Sequence, residues 1–259
     1  MKILPHMIAP FMALYLLSLP SHADNLTILS DAQNLAAQME AVVHAGGPDG
    51  VGPFVIAAEK ALQDAGDSVV YTVGPEHLNV LADGLAEAAV AGKLIKDQHK
   101  DKLSLTVSVQ QNPYPRIGLY LGLYYNTVRK PKDALRALNA GIKLSLQPVP
   151  EDGSVPGATL PSLVCEKGYT LMQLHRVPAA LAVYEDGLKY TPASDHAADR
   201  ACMLRGQGYL LMQMGQLDKA EQVYRQSLVL DPDNDNAEKE LSYIMKMRED
   251  VSNSSYGLR

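Results

Sequence analysis

The chain has 259 residues, 47% of them hydrophobic and 20% charged, which is typical of one or two globular domains and not of a disordered or multi-pass membrane protein. Its 23 Lys and Arg against 29 Asp and Glu give a formal net charge of −6, with no basic run, so we expect no nucleic-acid partner. Two cysteines are too few for a disulfide scaffold or a four-thiolate zinc site.

The first residues have the pattern of a secretory signal peptide. Residues 1–23 carry one charge, Lys2, then an apolar stretch over 8–19, and they end on small residues, so we expect cleavage after Ala23. An uncleaved anchor is the alternative, but a run of about a dozen residues broken by Pro10 is shorter than the roughly 20 that span a bilayer. No cysteine follows the run, which excludes a bacterial lipid anchor. If the source is a Gram-negative bacterium, we expect the mature protein to be periplasmic. A protein secreted from the cell is the alternative.

The first half of the mature chain has mixed periodicity. Apolar residues at helical spacing predict helices over Asp31–Ala45, Pro53–Ala65 and, as the longest candidate, Pro75–Ile95. Apolar stretches at 69–73 and 103–109, the second strictly alternating, predict strands. We therefore expect residues 24–112 to form a mostly helical cap with a small β element.

The second half contains three similar segments in which large and small residues recur at fixed spacing. The last segment carries Leu204, Gly208, Leu211, Ala220, Tyr224, Ser227 and Pro232. A shift of 40 gives Val164, Gly168, Leu171, Ala180, Tyr184, Gly187 and Pro192. A further shift of 46 gives Gly118, Gly122, Tyr125, Ala134, Leu138 and Gly141, with the proline displaced to Pro148. Small residues at such positions let two helices approach closely, and the proline ends the second helix.

This set resembles the tetratricopeptide repeat family, whose unit of about 34 residues is a pair of antiparallel helices. The segment Ala201–Asn234 matches it most clearly, and the longer spacings are absorbed by loops over 148–161 and 193–198. The resemblance implies a mainly α fold, a solenoid of three repeats over 113–250 that ends in a capping helix at Asn236–Glu249, with a flexible tail at 251–259. An ordinary helical bundle is the alternative. An isolated array would leave an apolar end face, which the N-terminal cap is expected to cover.

The resemblance implies that a protein or peptide partner binds the concave face, which the first helix of each repeat lines. Tyr and Met recur there at equivalent places, a composition that suits an anchor surface. The implied partner-binding residues are Arg116, Leu119, Leu123, Asn126, Ser162, Tyr169, Met172, Arg205, Tyr209 and Met212. The alternative is that this short array fills its own groove with the N-terminal cap or the C-terminal helix. Leu119, Cys165 and Arg205 stand where some cytosolic relatives place the lysines that clamp an acidic tail, so that type of partner is disfavoured.

In the same register Cys165 and Cys202 lie in the first helices of successive repeats and face the same surface. A disulfide requires Cα atoms about 4.4–6.8 Å apart, which such a pair of helices reaches only on close approach. An oxidising compartment favours the bond. Two separate, partly buried thiols are the alternative.

Motifs of catalysis and cofactor binding are absent from the sequence. There is no nucleophile elbow, phosphate loop, zinc-protease helix or dinucleotide fingerprint, so we expect no catalytic residues, no cofactor and no metal. The histidines of the mature chain are widely separated and are expected at the surface: His44, His77, His99, His175 and His196. Residues 231–235 lack the glycine and the glutamate of a calcium loop and are better explained as a helix end, a turn and the N-cap of the next helix.

The sequence therefore predicts a non-catalytic periplasmic adaptor that holds a protein segment during assembly of an envelope or secretion machine. An immunity protein that neutralises a toxic enzyme acting in the periplasm is the alternative, and composition does not separate the two. An enzyme seated in the N-terminal cap would need converging polar groups between Asp49 and Gln111, and the sequence shows no such set.

Overall fold

The structure, a computed structural model, describes residues 22–65, 70–74, 77–84, 88, 106–145, 158–191 and 196–256. Most of the predicted signal peptide lies outside these residues. The expected cleavage point, after Ala23, falls in the first turn of α1, which spans His22–Gly46. None of the helices in the described ranges is both long and apolar enough to cross a bilayer.

The N-terminal cap begins with two helices that the sequence predicted. Helix α1 (His22–Gly46) starts nine residues before the predicted Asp31, a short 3-10 helix follows at Pro48–Phe54, and α2 spans Val55–Asp64. Gly47 turns the chain between them with a φ of 88°, a conformation that favours glycine. Buried Ala36 and Met39 of α1 belong to the core that covers the first repeat.

A three-stranded sheet completes the cap. Strands β1 (Val70–Gly74), β2 (His77–Ala82) and β3 (Thr106–Gln111) lie in the order β1-β2-β3, with β1 antiparallel and β3 parallel to β2. The predicted helix over Pro75–Ile95 is therefore wrong at His77–Ala82, which is the central strand. Pairing with strands on both sides and burial of Val80 and Leu81 override a helical preference that comes from the Ala- and Leu-rich residues further along. Most of 85–105 lies outside the described residues.

Three antiparallel helix pairs follow, and the predicted mainly α, repeat-type solenoid is confirmed. In chain order the helices are α3 (Tyr114–Thr127), α4 (Pro131–Lys143), α5 (Leu160–Gln173), α6 (Val177–Tyr190), α7 (Ala197–Gln213) and α8 (Leu217–Leu230). Proline stands in the first turn of several of them, where its missing N–H costs nothing: Pro115, Pro131, Pro161 and Pro178.

The small residues of the repeat set the approach of the helices. A β-carbon at Gly118 would lie 2.7 Å from Cα of Gly141 on α4, and one at Gly208 would lie 2.8 Å from the Cε2 atom of Tyr224 on α8. Between these two pairs the ring of Tyr184 takes the space left by Gly168. Large and small residues interdigitate as the sequence spacing predicted, and the two tyrosines are almost fully buried.

The turn inside each pair repeats the same geometry. A residue with positive φ ends the first helix, and the next N–H donates to the carbonyl five residues back. The three residues with positive φ are Arg129, His175 and Gly215. The three hydrogen bonds are Lys130 N to Tyr125 O (2.8 Å), Arg176 N to Leu171 O (2.9 Å) and Gln216 N to Leu211 O (2.9 Å).

The C-terminal helix α9 spans Asp235–Tyr256. Oδ1 of Asn234 accepts a hydrogen bond from the Ala237 N–H at 3.1 Å, so Asn234 caps the helix, as the sequence interpretation of 231–235 has it. The helix is longer than predicted, because its backbone continues through 251–256, which was assigned to a flexible tail. Residues 257–259 of that predicted tail lie outside the described residues.

Candidate functional site

A groove of about 470 Å³ runs across the face formed by α3, α5 and α7, with the first turns of α9 as one wall. It brings together six of the ten implied partner-binding residues, together with Cys202: Leu123, Asn126, Tyr169, Met172, Arg205 and Tyr209. The wall contributed by α9, with Asn236, Ala237 and Glu240, was not predicted as part of the site. The C-terminal helix borders the groove and does not occupy it.

Four other expected residues do not line this groove. Arg116 binds the N-terminal cap, since its Nη1 donates to Oε2 of Glu40 at 3.2 Å and its Nε lies 3.9 Å from Oδ1 of Asp83. Ser162 donates to Oδ1 of Asp199 at 2.7 Å. Leu119 is half-buried, and Met212 lines a second depression beside the groove.

Four tyrosines line the groove and make its surface aromatic. Tyr169 and Tyr209, at equivalent places in successive repeats, are 46% and 39% exposed and form the rim. Tyr184 and Tyr224, each from the second helix of a repeat, are almost fully buried and contribute to the floor. Burial raises the pKa of both floor phenols, with further contributions from nearby Glu166 and Glu240 respectively, so both stay protonated at neutral pH.

A buried polar cluster connects the first two repeats under the groove. Asn126 donates from Nδ2 to Oε2 of Glu166 at 3.2 Å, and its Oδ1 accepts from the Thr170 hydroxyl at 3.0 Å. Burial raises the pKa of the Glu166 carboxyl, and the Asn126 hydrogen bond opposes the shift. Glu166 is not among the residues that the repeat pattern predicted for the site. Its spacing of three from Tyr169 places both on one helical face, and that signal could have found it.

Arg205 lines the groove, but its charge is already paired. Its Nη1 donates to Oδ2 of Asp231 at 2.8 Å, and Asn234 donates to the same carboxylate oxygen at 2.8 Å. Asp231 closes α8, so this ion pair ties the first helix of the third repeat to the loop that leads into α9. The guanidinium thus holds the repeat together as well as facing the groove.

A disulfide joins Cys165 on α5 to Cys202 on α7, with the Cα atoms 6.2 Å apart. Of the two alternatives that the sequence left open, the structure has the bonded one. Cys165 is buried and Cys202 lines the groove, so the bond lies directly beneath the surface expected to bind a partner. It fixes the spacing of two neighbouring first helices.

Chemically, the groove offers apolar and aromatic contact together with hydrogen-bond acceptors. Within the described ranges, no cluster of three or more His, Cys, Asp or Glu side chains is placed to hold a metal ion. Of the residues that the structure describes, three with charged side chains line the groove: Glu166, Arg205 and Glu240. Such a surface is suited to holding a segment of another molecule.

Residues 202–234 match the family model of the tetratricopeptide repeat. The matched segment covers most of α7, all of α8 and the turn before α9, and it lies within the repeat Ala201–Asn234 that the sequence showed most clearly. The resemblance to this family is confirmed for this repeat, and the two earlier helix pairs have the same antiparallel arrangement. No curated protein matches the chain. Tetratricopeptide repeats indicate a protein-protein interaction module.

Proposed function

We propose that the protein is a non-catalytic adaptor of the periplasm that holds a segment of a partner protein in its concave groove. The observation that carries the proposal is the exposure of Tyr169 and Tyr209 on the groove rim, at equivalent places of two repeats. Tyrosine provides a large contact area at a small cost in conformational entropy, and such residues dominate binding energy at interfaces. Because α9 forms a wall and leaves both rings exposed, the groove is open to a partner.

The fixed geometry of the groove supports the same function. The disulfide between Cys165 and Cys202 sets the distance between two lining helices before any partner arrives, which lowers the entropic cost of binding. Disulfides persist in oxidising compartments, so the bond also agrees with export through the signal peptide proposed for residues 1–23. N-terminal sequencing of the protein from a periplasmic fraction should begin at Asp24, and an intact N terminus in the cytoplasm would overturn the location.

The docking function is tested by affinity capture from periplasmic extract with the mature protein and a Tyr169→Ala/Tyr209→Ala variant. A matched control replaces two exposed apolar residues away from the groove, Ile56→Ala/Val229→Ala. The proposal predicts one dominant partner that is lost with the tyrosine pair and kept by the control. Equal capture by all three proteins would place binding elsewhere. The identity of the partner separates an assembly adaptor from an immunity protein, since a toxic enzyme would be captured in the second case.

A further inference from the structure

The charges in the groove are not balanced within it. Two carboxylates, Glu166 on α5 and Glu240 on α9, line the same cavity as one guanidinium, that of Arg205. Arg205 is held by Asp231 at 2.8 Å, so its positive charge is already neutralised. Lys239 does not line the groove; it lines the adjacent depression, which Glu240 also borders. The cavity therefore carries an excess of negative charge.

Glu166 has little to stabilise its charge. Among the described residues Asn126 is its one hydrogen-bond donor, at 3.2 Å, and neither Glu166 nor Glu240 takes part in an ion pair there. A half-buried carboxylate without a cation loses solvation and gains no Coulomb attraction in return. An incoming cation would supply that attraction in a site shielded from water, where it is stronger than at the surface.

The aromatic lining suits the same kind of group. Tyrosine ring faces carry negative partial charge and attract ammonium and guanidinium ions. Tyr169 lines the groove three positions after Glu166 on α5, and Tyr209 lines it opposite Glu240 of α9. The aliphatic stem of a lysine or arginine would pack on the exposed rings of Tyr169 and Tyr209 while its head reaches a carboxylate.

We propose that the groove selects a partner segment in which a lysine or arginine is flanked by apolar residues, with the cationic head paired to Glu166 and the apolar residues on Tyr169 and Tyr209. This rests on the docking function proposed above and specifies the chemistry of what docks. Arg205 does not favour an acidic segment instead, because its guanidinium is already paired with Asp231.

The test uses a displayed library of random 12-residue peptides, selected on the mature, disulfide-bonded protein. We expect selected peptides to share a lysine or arginine beside apolar residues. Replacing that residue by glutamine should weaken binding about tenfold or more, as removal of one partner of a shielded ion pair does. Glu166→Gln should weaken the parent peptide similarly, and the two changes together should cost little more than either alone.

Controls separate this inference from the docking function. Glu185→Gln, on the exposed side of α6, removes the same charge away from the groove and should leave affinity unchanged. Circular dichroism and the thermal midpoint establish that each variant is folded. Selected peptides without a lysine or arginine, or cationic peptides whose binding is insensitive to Glu166→Gln, would overturn the pairing of a cation with Glu166. If the same peptides lose binding with Tyr169→Ala/Tyr209→Ala, the docking function is still upheld. Peptides insensitive to the tyrosine pair, or no selected peptide at all, would overturn both.

Discussion

Cys165 and Cys202 are covalently joined across two successive repeats, with their Cα atoms 6.2 Å apart and a sequence separation of 37. Closing a loop of this length in the unfolded chain stabilises the folded state by about 3–4 kcal/mol in the chain-entropy model. We therefore expect Cys165→Ser/Cys202→Ser to lower the free energy of unfolding by about that amount in urea titrations. Wild-type protein kept in reductant should behave like the variant. Alkylation of both thiols in unreduced protein would contradict the bond.

Gly206 has no room for a side chain. A β-carbon there would overlap the phenol end of Tyr184, so we expect Gly206→Ala to destabilise the protein by about 1–3 kcal/mol, as overpacking does. Gly46→Ala is the control, since nothing lies within 4 Å of a β-carbon at that position.

A double-mutant cycle identifies Tyr184 as the cause. In a Tyr184→Leu background the shorter side chain frees the space, so Gly206→Ala should cost clearly less there than in the wild type. An equal cost in both backgrounds, measured by chemical denaturation, would show that the ring is not what excludes the side chain.

The repeats were predictable because their determinants are local. Gly208 and Tyr224, or Gly168 and Tyr184, lie 16 residues apart in one helix pair, so their complementary sizes are visible in the sequence. Two strands of the sheet, β1 and β3, were predicted from the sequence, and β2 was not. Strand β2 pairs with Thr106–Gln111, almost 30 residues further along the chain, and no local pattern in His77–Ala82 indicates that pairing.

The tyrosines on the groove rim could be predicted from the sequence, and the residues that α9 contributes to its wall could not. Equivalent positions in the repeats predicted Tyr169 and Tyr209, and both line the groove. The approach of Glu240 to the groove depends on how α9 leaves the last repeat, which local periodicity does not describe. Arg116 has the right position in its repeat, but Glu40, 76 residues earlier, takes its guanidinium.

Glu166 should lower the stability of the folded protein at neutral pH. Its carboxyl has a raised pKa when folded, so between the ordinary value of 4.5 and the folded value the native state keeps a proton that the unfolded chain has lost. Stability of the wild type therefore falls as pH rises through this range. The Glu166→Gln variant has no carboxyl at this position and does not lose stability in this way. The difference in free energy of unfolding between the variant and the wild type should therefore grow from near zero well below pH 4.5 to a plateau at neutral pH.

This pH dependence is measured by urea unfolding from acid to neutral pH, with Glu185→Gln alongside to correct for the loss of one surface charge. A variant less stable than the wild type at neutral pH would mean that Glu166 is a structural residue. A more stable variant that binds its peptide less tightly would show that Glu166 costs stability and serves binding.

Arg116 should contribute more to stability than an exposed arginine does. Arg116→Ala removes a half-buried guanidinium that lies 3.2 Å from Glu40 and 3.9 Å from the buried Asp83, so we expect a cost of about 1–3 kcal/mol. Arg136→Ala, whose guanidinium pairs at the surface with Glu59, should cost less than about 1 kcal/mol. Denaturant unfolding of the two variants compares them directly, and equal costs would contradict the role of Arg116 in fastening the cap.

The most direct test of groove docking is site-specific photo-crosslinking in cells. A photoreactive amino acid placed at Tyr209 lies on the groove rim, and one placed at Val229, 79% exposed on α8, lies outside it. Docking in the groove predicts a crosslink to one partner from Tyr209, reduced by Tyr169→Ala, and none to that partner from Val229. Crosslinking of the partner from Val229 with none from Tyr209 would contradict the proposed function.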